Sequence, residues 1–232
     1  MSDVRKVQVG EVQLAYRVWG EGDAPPAVLL HSLGEDGEDW RGVVGRLAGT
    51  HRVFALDQRG HGHSDWPGDY GFARWRDDAL GFLRALGLER VLLIGHSLGA
   101  VAALLAAAER PDLVERLVLE EVAPPLPADP PQEVPPRPAG PASFDWQAKI
   151  AVVAERNAPD PAWWEAVARV TVPTLVIAGG EASHVPQTQL AALAERLPDA
   201  RLVTVEGAGH LVHEEHPGEF LAAVASFLAP HT

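Results

Sequence analysis

The sequence predicts an α/β fold, with a mostly parallel central sheet, helices on both of its faces and one short insertion. Three observations carry this reading. Continuous apolar runs at 27–31, 91–94, 117–119 and 175–178 alternate with longer segments whose apolar residues recur at helical spacing. Strands buried on both faces and amphipathic helices produce that alternation. The 232 residues are 47% hydrophobic and 22% charged, enough apolar material for one large core. A single stretch, 124–170, interrupts the rhythm and holds 11 of the chain's 20 prolines.

Residues 4–9 and 12–19 alternate around Gly10 and predict a hairpin. A short strand at 27–31 follows Pro25 and Pro26. Residues 39–47 predict a helix, 52–56 a strand, and 72–86 a helix ended by Gly87. A strand at 91–94 leads into a helix at 98–109, which Pro111 stops. The strand 117–119 precedes the insertion. After it come a strand at 175–178, a helix at 186–197, a strand at 202–205 and a last helix at 217–228.

The first part of the insertion, 124–141, is too rich in proline for helix or sheet ladders. Its second part, 146–170, predicts one or two short helices and carries Trp146, Trp163 and Trp164. Three large apolar rings need cover. Residues 124–170 are therefore read as a small lid over the sheet's carboxyl edge, with 1–123 and 171–232 as the core domain.

The formal net charge of −13 speaks against a nucleic-acid partner, because phosphate binding needs a basic face. The same acidic balance disfavours anionic substrates through long-range steering. Lys6 and Lys149 are the only lysines, and the bias toward Ala, Gly, Pro and Arg is that expected of a GC-rich bacterial genome. With no cysteine, disulfides, thiolate catalysis and Cys-ligated metals are excluded. The first ten residues lack the apolar core of a signal peptide, and no apolar run approaches membrane-spanning length. The expectation is a cytoplasmic protein with no membrane segment.

Residues 91–100, Val-Leu-Leu-Ile-Gly-His-Ser-Leu-Gly-Ala, run a buried strand into a helix through Gly-x-Ser-x-Gly. That pattern is a nucleophile elbow, a tight turn presenting Ser97 at the top of the sheet. Gly95 and Gly99 stand where side chains would collide with the adjacent strand and helix. Ligands of open α/β sheets bind beyond the carboxyl ends of the strands, and the positive end of the helix from Leu98 favours an anion there. A serine hydroxyl needs a base. After the strand at 202–205 the chain reads Gly-Ala-Gly-His, placing His210 in a glycine-rich loop, and a histidine after the nucleophile is the chain order of this arrangement.

With these stretches, His31-Ser32-Leu33-Gly34 and Asp57-Gln58-Arg59-Gly60-His61-Gly62-His63-Ser64-Asp65 make the chain resemble the α/β-hydrolase superfamily, in the manner of its serine esterases, over nearly its whole length. The resemblance implies a Ser–His–acid triad in which Ser97 attacks a carbonyl and His210 takes its proton. It also implies an oxyanion hole of backbone N–H groups at Leu33 and Leu98. Where the family usually has glycine this chain has Ser32, whose hydroxyl either adds a third donor or simply fits. His96 is expected to pack beside the nucleophile. Ser32, His96, Trp146, Trp163 and Trp164 are read as the substrate pocket and its lid.

The acid departs from the pattern. Most members carry it after the strand that follows the lid, where this chain reads Gly180-Glu181-Ala182-Ser183 and places serine in the slot. Some relatives carry it at the end of the preceding strand, which here ends Leu119-Glu120-Glu121. Strand side chains alternate faces, so the two glutamates point opposite ways. Register against the family favours Glu121 as the partner of His210; Glu120, Glu181 and a dyad with no acid are the alternatives.

His61, His63, Asp57 and Asp65 look like a metal site on paper, but the resemblance makes their loop a structural turn. His210, His213 and His216 recur at intervals of three in a loop with no helix to align them as ligands, and His213 is read as a surface or supporting residue. No metal and no cofactor is expected. The expected function is a serine hydrolase that cleaves a carboxylic ester, lactone or thioester of small to medium size through an acyl-enzyme, with a small-molecule ester as its partner. The alternative is a hydrolase-fold protein that senses a small ligand or performs non-hydrolytic chemistry in the same pocket. Serine at the elbow excludes the epoxide hydrolases and haloalkane dehalogenases of this fold, which need aspartate there.

Overall fold

A computed structural model describes residues 3–122, 124 and 130–229. The chain begins with the hairpin β1 (Arg5–Val9) and β2 (Val12–Trp19), then β3 (Pro26–Leu30), α1 (Arg41–Leu47), β4 (Arg52–Asp57) and α2 (Phe72–Ala85). The central crossing is β5 (Val91–His96) into α3 (Leu98–Glu109), followed by β6 (Val114–Glu120). The insertion contributes α4 (Trp146–Asn157) and α5 (Trp163–Ala168). The chain closes with β7 (Thr174–Ala178), α6 (Gln187–Arg196), β8 (Ala200–Thr204), α7 (Val212–Glu215) and α8 (Pro217–Leu228).

All eight strands form one sheet in the order β1-β2-β4-β3-β5-β6-β7-β8. β2 runs antiparallel to β1 and β4, and the remaining neighbours are parallel. One core layer packs α2, α3 and α6 on the sheet around Trp75, Phe82 and Leu104; the other packs α1 and α8 around Trp40 and Phe220. The expected fold class is the one observed. Two elements differ in extent. β6 starts three residues before the predicted 117, because Glu115 and Arg116 break the apolar run at its solvent end. Residues 212–215 form one helical turn where a loop was expected. Of the proline-rich segment, 123 and 125–129 lie outside the described residues, and 130–141 contain neither helix nor strand.

Two features of this scaffold place the site. α3 is buried on nearly every side and rich in alanine, so its backbone lies close to the sheet. A Cβ on Gly99 would stand 2.1 Å from the Leu30 carbonyl oxygen, and one on Gly95 would stand 2.4 Å from that of Gly99. The loop after β4 is held by two buried carboxylates. Asp57 accepts from Arg17 Nη1 (2.6 Å) and the N–H groups of Gly37 (2.8 Å) and His63 (2.9 Å), while Asp78 accepts both arms of the Arg59 fork at 2.5 and 2.7 Å. Of the side chains that looked like metal ligands, Asp57 is engaged in these contacts and Asp65 accepts from the Gln13 N–H at 2.8 Å. Gly99→Ala should force α3 off β3 and destabilise the protein by about 3 kcal/mol, the upper part of the range for overpacking. Gly45→Ala, in α1 with open space around it, should stabilise by about 0.5–1 kcal/mol. Urea unfolding of the two variants tests the contrast.

Candidate active site

Ser97 caps the turn between β5 and α3 with φ 50° and ψ −108°. Among the described residues, Arg90, Ser97 and Glu121 are the non-glycine residues with positive φ. Such strain persists where the surroundings over-determine it. Here the Ser97 N–H donates to the Glu120 carbonyl at 2.9 Å, and its own carbonyl accepts from Ala100 and Val101 at 3.1 Å. The Glu121 N–H donates to the Ile177 carbonyl at 2.9 Å. Ser97, Glu121 and Gly179 thus stand side by side at the carboxyl ends of β5, β6 and β7.

The Glu121 carboxylate sits in a cradle. Its Oε1 accepts from the Gly179 N–H at 2.6 Å, and its Oε2 accepts from the Ser183 hydroxyl and lies 3.3 Å from His210 Nδ1. Burial alone would raise its pKa, but the His210, Ser183 and Gly179 hydrogen bonds hold it below the ordinary carboxylate value. An ionised acceptor on Nδ1 makes that nitrogen the donor and leaves the lone pair of a neutral ring on Nε2. Ser183, in the slot where the family resemblance places an acid, therefore donates its hydroxyl to the Glu121 carboxylate at the end of the preceding strand. The His210 loop is pinned by the Gly209 N–H, which donates to the Gly179 carbonyl at 3.0 Å. A Cβ on Gly179 would lie 1.7 Å from the Gly209 oxygen, so only glycine fits.

Glu120 turns to the opposite face, as strand alternation requires. It is fully buried and accepts from the His213 N–H (2.8 Å) and from His213 Nδ1 (2.8 Å). On the far side of the ring, Asp39 Oδ2 lies 3.4 Å from Nε2, and Trp40 stacks at 4.2 Å between centroids. Burial opposes charge on His213, yet Glu120 and Asp39 push its pKa up to about 10. The same attraction overcomes burial at Glu120 and holds its carboxyl below the usual range. His213 is thus no surface residue. The turn of α7 drives it into the core, and the signal that could have found it is the second strand-end glutamate, which needed a buried cationic partner.

Asp39 Oδ2, His96 Nδ1 and His213 Nε2 lie within 4.8 Å of one another. They are near enough to share an ion, and the proton held on His213 supplies a positive charge there. His96 is fully buried, its pKa lowered to about 3 chiefly by burial, and its Nε2 meets the His210 carbonyl at 2.8 Å. It props the His210 loop from below instead of lining a pocket.

The remaining expected site residues are more scattered. Ser32 is buried in the turn after β3. The backbone N–H groups of Leu33 and Leu98 donate to no other described residue. Trp146 packs against Phe144, whose ring stacks on His61 at 5.4 Å. The expectation that Trp163 and Trp164 line the pocket is corrected by their positions. Trp163 is buried in the core, and Trp164 lies beneath Arg196, with 4.4 Å from guanidinium to ring centroid. Their apolar area is spent on docking the insertion. Glu181 is exposed, without a contact to His210.

Residues 27–224 match the model of the alpha/beta hydrolase family. The chain belongs to that family. This hydrolase is 27% identical over 255 residues to the sn-1-specific diacylglycerol lipase of Mus musculus, across 90% of its own length and 83% of that protein's. It is 29% identical over 264 residues to the 2-(acetamidomethylene)succinate hydrolase of Mesorhizobium japonicum, covering 97% of this chain and 94% of that one. The crystal structure of the enol-lactonase from Burkholderia xenovorans LB400 superposes with a TM-score of 0.83 at 26% identity, covering 97% and 99% of the two chains. No described helix is long and apolar enough to cross a membrane.

The Glu120–His213 pair makes the hydrolase's stability depend on pH. A histidine whose pKa is raised from 6.5 to about 10 contributes stability that is complete below its unfolded value and lost as pH climbs through the folded one. Glu120, with a lowered pKa, contributes above its ordinary value and loses that contribution in acid. Unfolding free energy should peak near pH ~5–6.5 and fall toward pH 10. His213→Gln should cost about 3–5 kcal/mol at pH 6, because it strands a buried carboxylate, and should flatten the alkaline decline. Urea titrations from pH 5 to 10 measure both effects; an unchanged alkaline slope in the variant would refute the assignment.

Proposed function

We propose that this hydrolase cleaves a carboxylic ester of small to medium size through an acyl-enzyme on Ser97, with lactones and thioesters in the same chemical reach. The observation that carries this reading is the buried, hydrogen-bonded carboxylate of Glu121 against His210 Nδ1, beside the strained turn of Ser97. A carboxylate in that place fixes the ring's tautomer and offsets the charge the ring acquires. The relatives named as a lipase, a lactonase and a hydrolase of a succinate derivative agree with acyl chemistry at this site.

In the first half-reaction Ser97 Oγ attacks the carbonyl carbon while its proton passes to His210 Nε2. The Leu33 and Leu98 N–H groups receive the oxyanion; donors of this kind contribute about 2.7–4 kcal/mol each. The bond to the leaving alkoxide breaks, and that oxygen takes the proton from His210. Water then gives a proton to His210 and attacks the acyl carbon. Collapse releases the carboxylic acid and returns the proton to Ser97 Oγ.

Residues 124–170 act in this reading as a lid on the core formed by 1–123 and 171–232. Support comes from its fastening to the loops around the site. The Ser143 hydroxyl donates to the Gly34 carbonyl (3.0 Å), the Asp145 N–H to Gly60 (2.8 Å) and the Tyr70 hydroxyl to Asp145 (2.8 Å).

Ser97→Ala should lower turnover by several orders of magnitude with circular dichroism unchanged, and a sulfonyl fluoride should label Ser97. An adduct on a different serine would end the reading. Glu121→Gln should cost about 10²–10⁴ in turnover of a chromogenic ester at pH 8, the range for replacing a triad acid by its amide. Glu181→Gln should stay within a few-fold of wild type. A crippled Glu181→Gln with a competent Glu121→Gln would move the acid to the loop after β7.

A further inference from the structure

The candidate acid and base meet loosely. His210 Nδ1 lies 3.3 Å from Glu121 Oε2, beyond the span of about 2.7–3.2 Å usual for N–H···O hydrogen bonds. The terminal torsion of a glutamate is broad, so a contact of that length does not by itself fix the plane of the carboxylate. Two donors fix it from opposite oxygens. The Gly179 N–H holds Oε1 at 2.6 Å, and the Ser183 hydroxyl holds Oε2. Gln187 Nε2 stands 3.5 Å from Oε1, at the limit of a hydrogen bond. The Gly179 donor is backbone and comes with the end of β7. The Ser183 donor is a side chain, and it grips the same oxygen that faces His210.

The turn around Ser183 is built to aim that hydroxyl. Ser183 follows a single helical turn at Gly180–Ala182, and its N–H donates to the Gly180 carbonyl at 3.1 Å. Its Oγ accepts from the Val185 N–H at 3.0 Å. A hydroxyl has one proton and two lone pairs; with a lone pair taken by Val185, the proton is turned to the carboxylate, 62 residues away in sequence. Gln187 braces the turn, accepting from the Gly180 N–H at 3.1 Å and donating to the Val185 carbonyl at 2.8 Å. The next side chain, His184, places its ring 4.2 Å from that of His210. Successive residues of one turn therefore touch the acid and the base.

We propose that Ser183 is a positioning residue, whose hydroxyl holds Glu121 Oε2 toward His210 Nδ1 and so keeps Nε2 free to take the proton of Ser97. The proposal rests on the esterase reading above and deepens it. Without the hydroxyl, Oε2 keeps only its 3.3 Å contact with the ring. The carboxylate then turns about its bond to the Gly179 N–H, and the ring loses the acceptor that selects its tautomer. The effect falls on turnover, because Ser183 acts through Glu121 and not on the bound ester.

The test compares wild type, Ser183→Ala and Ser183→Thr. Threonine keeps the hydroxyl, and the extended backbone at Ser183, φ −76° and ψ 145°, suits a branched residue. With 4-nitrophenyl butyrate at pH 8, Ser183→Ala should lose about 10- to 100-fold in kcat, the scale set by a 1 Å misplacement in a catalytic constellation, with KM little changed. Ser183→Thr should restore most of that rate. A Ser183→Ala rate within a few-fold of wild type overturns the role, and a Ser183→Thr rate equal to that of Ser183→Ala marks the loss as packing and overturns it too. The imidazole nitrogen shifts of His210, read by NMR, give a second measure that needs no substrate. Wild type and Ser183→Thr should carry the ring proton on Nδ1, and Ser183→Ala should show a mixture with the Nε2 form. A wild-type ring with its proton on Nε2, or a Ser183→Ala ring identical to wild type, overturns the proposal. If wild type turns over no ester, the esterase reading fails, and the NMR comparison decides the positioning role by itself.

Discussion

The first turn of α3 presses against the end of β3 at Gly99, where the backbone of the helix meets the Leu30 carbonyl with no room for a methyl group. That approach forces the chain to leave β5 in a turn too tight for ordinary dihedrals, and Ser97 takes the positive φ that results. The Ser97 N–H is then tied to the Glu120 carbonyl on the next strand. The nucleophile position is thereby registered to the strand that supplies both buried glutamates. Close helix–sheet packing, strain at Ser97 and the placing of the carboxylates are three consequences of one contact.

The glutamates divide the work by face. Glu121 looks outward to His210 through a cradle of backbone N–H and hydroxyl donors. Glu120 looks inward to His213, where two carboxylates hold one protonated ring against Trp40. Buried ions repay their desolvation only with good geometry and further hydrogen bonds, and both oxygens of each glutamate find at least one partner. His96 joins the halves. Its ring lies 4.7 Å from that of His210 and 5.1 Å from that of His213, and its Nε2 meets the His210 carbonyl. A charged, rigid underlayer thus supports the loop that presents the candidate base.

The insertion contributes on two scales. Hydrogen bonds at Ser143 and Asp145, with the stacking of Phe144, attach it to the turns after β3 and β4. Its buried tryptophan joins the core.

The order of strands and helices, the glycine-bounded turn at Ser97 and the loop position of His210 were legible in the sequence, because apolar periodicity and turn chemistry act over a few residues. The choice among Glu120, Glu121 and Glu181 was narrowed but not closed there. A one-residue change of register sends a strand side chain to the other face, and the contact that decides lies 89 residues away, at His210. The burial of His213 and the docking of Trp163 in the core left no local signature. Each is a relation between side chains far apart in sequence, and only the packing of loops and insertion onto the sheet brings such partners together or keeps them apart.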